Sequence, residues 1–194
     1  MSEVSCSQKA VIFSLLGRIF IAELDRKSLA DLQEQQISSV FEKLQTGCKS
    51  YLINTQWDDK QIELLASEYC HLFILPKKSG LSLRASHWMT NDESSHLAQL
   101  ETIISNLDTN LDTSVINYDA SNLPGDHLGV LLYFLSAVYS SDNKEIQKLG
   151  ASLTKLSLLP WIARFNDKLL QSSTNPLYRA SGELLLQMLD YEEH

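Results

Sequence analysis

The chain has 194 residues with 24 acidic and 16 basic side chains, a net charge of -8 and a pI near 5.0. That length suits one domain with an ordinary core, and the charge disfavours nucleic acid and anionic membranes while favouring a basic partner such as a basic peptide. Three cysteines, Cys6, Cys48 and Cys70, lie far apart without a CxxC, which argues against a disulfide framework or structural zinc and fits a reducing cytoplasm.

In chain order, Ala10, Val11, Leu15, Ile19 and Ala22 mark one side of a helix between Ser7 and Glu23, broadened by Ile12, Leu16 and Phe20; Arg18 interrupts the apolar run, so this is an amphipathic helix and not a signal peptide. Two short polar helices are expected over 28–36 and 37–44, ending at Gly47. A stronger helix, capped by Asp58 or Asp59, runs to Leu75 before Pro76, with Ile62, Leu65, Tyr69, Leu72 and Phe73 on its buried side. The stretch 76–90 carries Pro, Gly and several Ser and reads as an ordered surface loop, in which Trp88 must pack on something. A further helix follows Asn91 or Asp92, and the polar segment 108–122 is the expected hinge.

The segment from Asn122 to Tyr139 is the most apolar part of the chain. Pro124 is expected in its first helical turn and Asp126 at the positive end of the helix dipole. Leu128, Leu131, Leu132, Leu135 and Tyr139 form one face, which Val130, Phe134 and Val138 widen until little of the helix can be exposed. Its 14 uncharged residues, 128–141, are too few to span a bilayer, which needs about 20, so a soluble protein is expected. Another helix should start at Ser141 or Asp142, with Glu145 in a capping box; Pro160 separates it from the next, which carries Trp161 and Phe165. Asn175 followed by Pro176 announces a last helix. Alternating β-branched runs are missing, so the fold class is all-α, with eight to ten helices in a single domain over 1–194.

The pattern of catalytic chemistry is thin. Thr46-Gly47-Cys48-Lys49-Ser50 lacks the contiguous Gly-Lys-Ser and the earlier Gly of a phosphate loop. The five histidines show no HExxH or other ligand spacing, and no Ser lies in a nucleophile elbow, so neither an enzyme nor a metal site is expected. Asp126 and His127 carry two readings. In one, Asp126 serves the helix N-terminus and His127 is half-exposed against a neighbouring loop; in the other, the pair forms the polar lip of an apolar groove, Asp126 receiving an arginine and His127 adjusting as donor or acceptor, titrating near 6.5 if unperturbed. Glu68, Tyr69 and Phe73 are either a core helix with one solvated acid or, with Trp88, walls of the same groove.

Three segments together resemble the TorD/DmsD/NarJ group of cytoplasmic chaperones that mature molybdenum-containing oxidoreductases. Glu68-Tyr69-Cys70-His71-Leu72-Phe73 with Pro76 and the Trp88 loop resembles the family's acid-x-x-x-Leu-Phe-x-Gly-Pro helix end, with Leu75 here in place of the Gly and Ser-His before Trp88 where Pro is common. Leu123-Pro124-Gly125-Asp126-His127-Leu128 resembles its Pro-x-Asp-His-Leu signature, and Leu159 to Phe165 through Asn175 to Tyr178 resembles its C-terminal Trp-x-x-x-Phe and Tyr-containing helices. The resemblance implies binding of the twin-arginine leader and the apo form of a molybdopterin oxidoreductase of the trimethylamine N-oxide or dimethyl sulfoxide reductase type, until its cofactor is inserted. It implies no hard chemistry and a fold that in some members is a domain-swapped dimer exchanged through the hinge; no cofactor is expected, and the charge and the short apolar run lead to the expectation of no nucleic acid partner and no stable membrane insertion. Carried over by position, the groove residues are Tyr69, Phe73, Trp88, Pro124, Asp126 and His127, with Glu68. Two rival functions belong to other classes: a guanine-nucleotide-responsive switch, and a helical scaffold for a basic helix of an unrelated partner.

Overall fold

The computed structural model describes residues 5–33, 51, 55–75, 81–89, 99, 102 and 123–190. Within these residues regular structure is helical: α1 (Cys6–Ile21), α2 (Arg26–Gln33), α3 (Asp59–Tyr69), α4 (Ala85–Trp88), α5 (Leu128–Ser140), α6 (Lys144–Leu153), α7 (Ile162–Ser172) and α8 (Pro176–Asp190). Two of them widen at their ends into a π-helical turn, α3 over Cys70–Ile74 and α6 over Thr154–Leu158. The all-α class expected from the sequence is what the chain adopts. The expected helices over 37–44 and 92–107, the loop residues 76–80 and 90, and the hinge 108–122 lie wholly or largely outside the described residues.

Local chemistry explains most helix starts. Ser5 accepts from the Gln8 backbone N–H while the Gln8 side chain accepts from the Ser5 N–H, a reciprocal capping box. Asp25 takes the cap role at α2, accepting from Ser28 N–H at 2.8 Å, which starts that helix at Arg26, ahead of the expected Ser28. Asp58, not Asp59, caps α3 through Gln61 N–H at 2.8 Å. At α6 the cap is Asn143, whose side chain accepts from Glu145 N–H; Glu145 itself pairs with Lys148, so the expected start at Ser141 or Asp142 with a Glu145 capping box is replaced. Asn175 accepts from Leu177 N–H ahead of Pro176, as the sequence predicts.

α5 is the axis of the core: every residue from Leu128 to Tyr139 is buried. It packs most extensively against α1, which buries Phe13, Leu16, Ile19 and Phe20. Val11, expected on that inner side, is instead 46% exposed, because the face turned to α5 is centred on Phe13, Leu16 and Phe20. The two backbones come unusually close. A Cβ on Gly129 would lie 2.8 Å from Ile21 Cα, and one on Gly17 would lie 3.3 Å from the Gly129 carbonyl. Ser136 Oγ, buried in this crossing, donates to the Ala10 carbonyl at 2.8 Å, satisfying a polar group that would otherwise cost free energy. α7 and α8 pack against each other and, with Trp161 at the start of α7, close the core through Trp161, Phe165, Leu177 and Tyr178, all fully buried.

Candidate functional site

The Asp126-His127 pair does not sit in a helical first turn. Pro124, Gly125 and Asp126 make a turn closed by His127 N–H donating to the Pro124 carbonyl at 2.9 Å, and α5 begins only at Leu128. The reason is tertiary. Arg84 and His127 form an antiparallel bridge: Ala85 N–H donates to the Asp126 carbonyl at 3.0 Å and Leu128 N–H to the Leu83 carbonyl at 2.7 Å. This pairing keeps His127 extended and moves the helix start beyond it.

His127 becomes the N-cap of α5, its Nδ1 accepting from Gly129 N–H at 3.2 Å. It is 8% exposed, not half-exposed, and burial, with the Arg84 charge adding to it and Asp126 opposing, lowers its pKa to about 4. It is therefore neutral at pH 7, with Nδ1 as acceptor. The unperturbed surroundings that a titration near 6.5 requires are therefore absent at this position.

Asp126 is equally enclosed, its side chain 1% exposed. One carboxylate oxygen pairs with Arg84 Nε at 3.1 Å and the other accepts from Ser86 N–H at 3.1 Å. Burial raises the cost of its charge, but the hydrogen bonds from Ser86 and the bond and charge of Arg84 outweigh this, and its pKa is held below the ordinary carboxylate value. An arginine does meet Asp126, as the groove reading requires, but it comes from this chain.

The segment expected as a surface loop is in its described part, 81–89, an inward-facing strap. Leu81, Leu83 and Ala85 are buried, and Ala85–Trp88 makes one helical turn. Trp88 anchors it, as expected of a tryptophan there: the indole N–H donates to the Ser82 carbonyl at 2.8 Å, and the ring stacks on Trp161 with centroids 6.2 Å apart. Arg164 reaches over from α7 and donates to the Trp88 carbonyl at 2.6 Å.

From Trp88 an aromatic band runs to the end of α3. Trp88 meets Phe165 at 6.0 Å, Phe165 meets Phe20 at 5.8 Å, Phe20 meets Phe73 at 6.1 Å, and Phe73 meets Tyr69 at 5.1 Å and Tyr178 at 5.8 Å. Phe73 and Trp88 are partly exposed. Tyr69 is 3% exposed, and its hydroxyl donates to the Phe20 carbonyl at 3.1 Å, so it supports the band from inside. Phe73 stands in the π-helical turn, whose last bond runs from Leu75 N–H to the Cys70 carbonyl, and Leu75 is extended, as a residue before proline must be. Glu68 lies behind the band, its carboxylate accepting from Ser173 Oγ at 2.5 Å. Pro124 is exposed.

Sequence reasoning missed Arg84, Ser86 and Arg164. None of them sits in a periodic or motif position, and only the folded chain brings Arg84 to Asp126, 42 residues away. Among the described residues no group of three or more His, Cys, Asp or Glu could hold a metal ion, and no helix is long and apolar enough to cross a membrane.

Helical architecture, a Pro-x-Asp-His-Leu turn bridged to a tryptophan strap, and an aromatic band beneath both define an all-α protein of the TorD-like type. The chain belongs to the nitrate reductase delta subunit family, whose family model matches residues 24–167. It is similar to the chaperone protein TorD of Shewanella sp. (strain ANA-3), 24% identical over 208 residues that cover 100% of this chain and 96% of the relative. It is similar too to TorD of Shewanella piezotolerans, at 25% over 92% of this chain and 87% of the relative, and to TorD of Pasteurella multocida, at 25% over 97% and 96%.

Proposed function

We propose that this chain is a system-specific maturation chaperone that binds the twin-arginine leader and apo form of a molybdopterin-containing oxidoreductase, assisting cofactor insertion and delaying export from the cytoplasm. Membership of the nitrate reductase delta subunit family and full-length similarity to TorD chaperones support the chaperone class. The role is non-catalytic: the site offers a carboxylate, an imidazole and aromatic faces, which bind and orient a peptide.

The observation that carries the leader reading is the bridge between residues 84 and 127, which joins an acid, a neutral histidine and a tryptophan strap into one unit at the edge of the aromatic band. In the proposed mode Asp126 takes a leader arginine through a charge-assisted fork and His127 orients the peptide through its other ring nitrogen. Trp88 and Phe73 receive apolar side chains, and the chain's charge of -8 favours the basic segment.

Because Asp126 also holds the strap, Asp126→Asn alters local packing as well as recognition, and the cleaner test changes the peptide. Calorimetric titration with leaders from molybdoenzymes of the same genome should give micromolar binding to one of them, weakened at least about tenfold when both arginines become lysines, because lysine cannot present a planar fork. Equal affinity for the two peptides would remove the arginine from the proposed mode.

A further inference from the structure

Arg84 and Asp126 are an unequal pair. The carboxylate is 1% exposed while the arginine side chain is 50% exposed. The contact uses Nε alone, at 3.1 Å, so it is not the two-pronged arrangement in which a guanidinium grips a carboxylate best. Half of a long cationic side chain therefore stands in water at the mouth of a buried acid.

The carboxylate's orientation, in contrast, does not depend on that side chain. Ser86 N–H holds the second oxygen, and the backbone of the strap is tied to residues 126 and 128 by its own hydrogen bonds. If the Arg84 side chain swings out, the acid stays aimed at the place its guanidinium left. A buried carboxylate cannot stand there alone, since an unpaired buried charge costs several kcal/mol, so Arg84 can leave readily only when another cation arrives. A fork-shaped guanidinium that engages with two nitrogens instead of one would win that exchange. Lysine, a point donor, would gain little by it.

We propose that the Asp126 carboxylate is an exchangeable guanidinium site that Arg84 fills at rest, the internal arginine standing where an arginine of the client peptide docks. The inference rests on the leader reading for the identity of the incoming group, but the site can be probed without a leader. Arg84 then acts as a threshold: peptides lacking an arginine at the right place do not displace it, and apparent leader affinity is reduced by the fraction of molecules in which Arg84 is home.

Arg84→Ala and Arg84→Gln, the second keeping the stem, test it with two probes. Ethylguanidinium at millimolar concentration should raise the Tm of Arg84→Ala by several degrees and leave the wild-type Tm unchanged, and the twin-arginine leader should bind both variants at least about threefold more tightly than wild type. Rescue by ethylguanidinium with no leader binding to any form would uphold the guanidinium site and overturn the leader reading. Leader binding that is equal or weaker in both variants, with no rescue, would make Arg84 a structural staple and overturn the inference while leaving the leader reading in place. Failure of both variants to fold even with ethylguanidinium present would likewise show that the pair does not exchange.

Discussion

His127 closes the first turn of α5 and fills part of the bridge, and both tasks require its neutral form, because Nδ1 must accept from Gly129 N–H. Its pKa, lowered to about 4, lies below the unfolded value near 6.5, so the unfolded chain binds the proton more readily. The contribution of His127 to stability is therefore complete above pH 6.5 and is lost as pH falls toward 4. At pH 5 the loss amounts to about 2 kcal/mol. Asp126, with its pKa held below the ordinary carboxylate value, acts in the same sense but only in the more acidic range where carboxylates protonate. Urea unfolding of the wild type at pH 7.0 and 5.0 should show this drop, and His127→Asn, which can still cap the helix, should be less stable at pH 7.0 yet flatter between the two pH values. A variant with the same pH slope as wild type would assign the acid sensitivity elsewhere. For leader binding the consequence is that no histidine titration at 127 should appear between pH 6 and 8.

The crossing of α1 and α5 decides how the site is held, because α5 carries the Asp126 turn at its start and α1 carries Phe20 in the aromatic band. The crossing depends on glycine: at Gly129 an added methyl group would meet Ile21 backbone atoms at 2.8–2.9 Å, which cannot move aside as a flexible side chain would. Gly129→Ala should therefore cost about 2–3 kcal/mol despite alanine's better helix propensity, read as a lower urea midpoint with unchanged slope. A neutral or stabilising result would mean the helices separate freely. Sequence reading could foresee the helices, since the Ser5 box, the Asp58 cap, the Asn175-Pro176 start and the apolar saturation of 128–139 are all local signals. It could not foresee α4, whose four residues owe their form to the pairing of Ala85 with Asp126, or the late start of α5, which has the same cause. The candidate site was legible to the same degree. Asp126, His127, Trp88, Tyr69 and Phe73 could be singled out as candidates because their motifs are local, whereas Arg84 lies in a Ser- and Leu-rich stretch with no pattern, and Arg164 reaches Trp88 across 76 residues. The π-helical turn that carries Phe73 leaves no sequence signature either, because it adds no residue type that an ordinary helix end would lack.

At the scale of the whole molecule two electrostatic effects act on a basic peptide, and they differ in reach. The net charge of -8 acts over a Debye length and should accelerate encounter, whereas the proposed Asp126 site would act only after docking, shielded from solvent and salt. The first should appear in the association rate and the second in the dissociation rate. Stopped-flow measurements with the twin-arginine leader should therefore show association slowing by about tenfold between 20 and 500 mM salt, with dissociation changing less than about twofold. Replacing the twin arginines by lysines keeps the peptide's charge, so association should be preserved at each salt concentration and the lost affinity should lie in faster dissociation. Dissociation that accelerates with salt as steeply as association slows would place the arginine on the open surface, outside the buried carboxylate. An association rate indifferent to salt would mean that the acidic surface faces away from the approach to the strap, and that recognition begins at the apolar faces of Phe73 and Trp88.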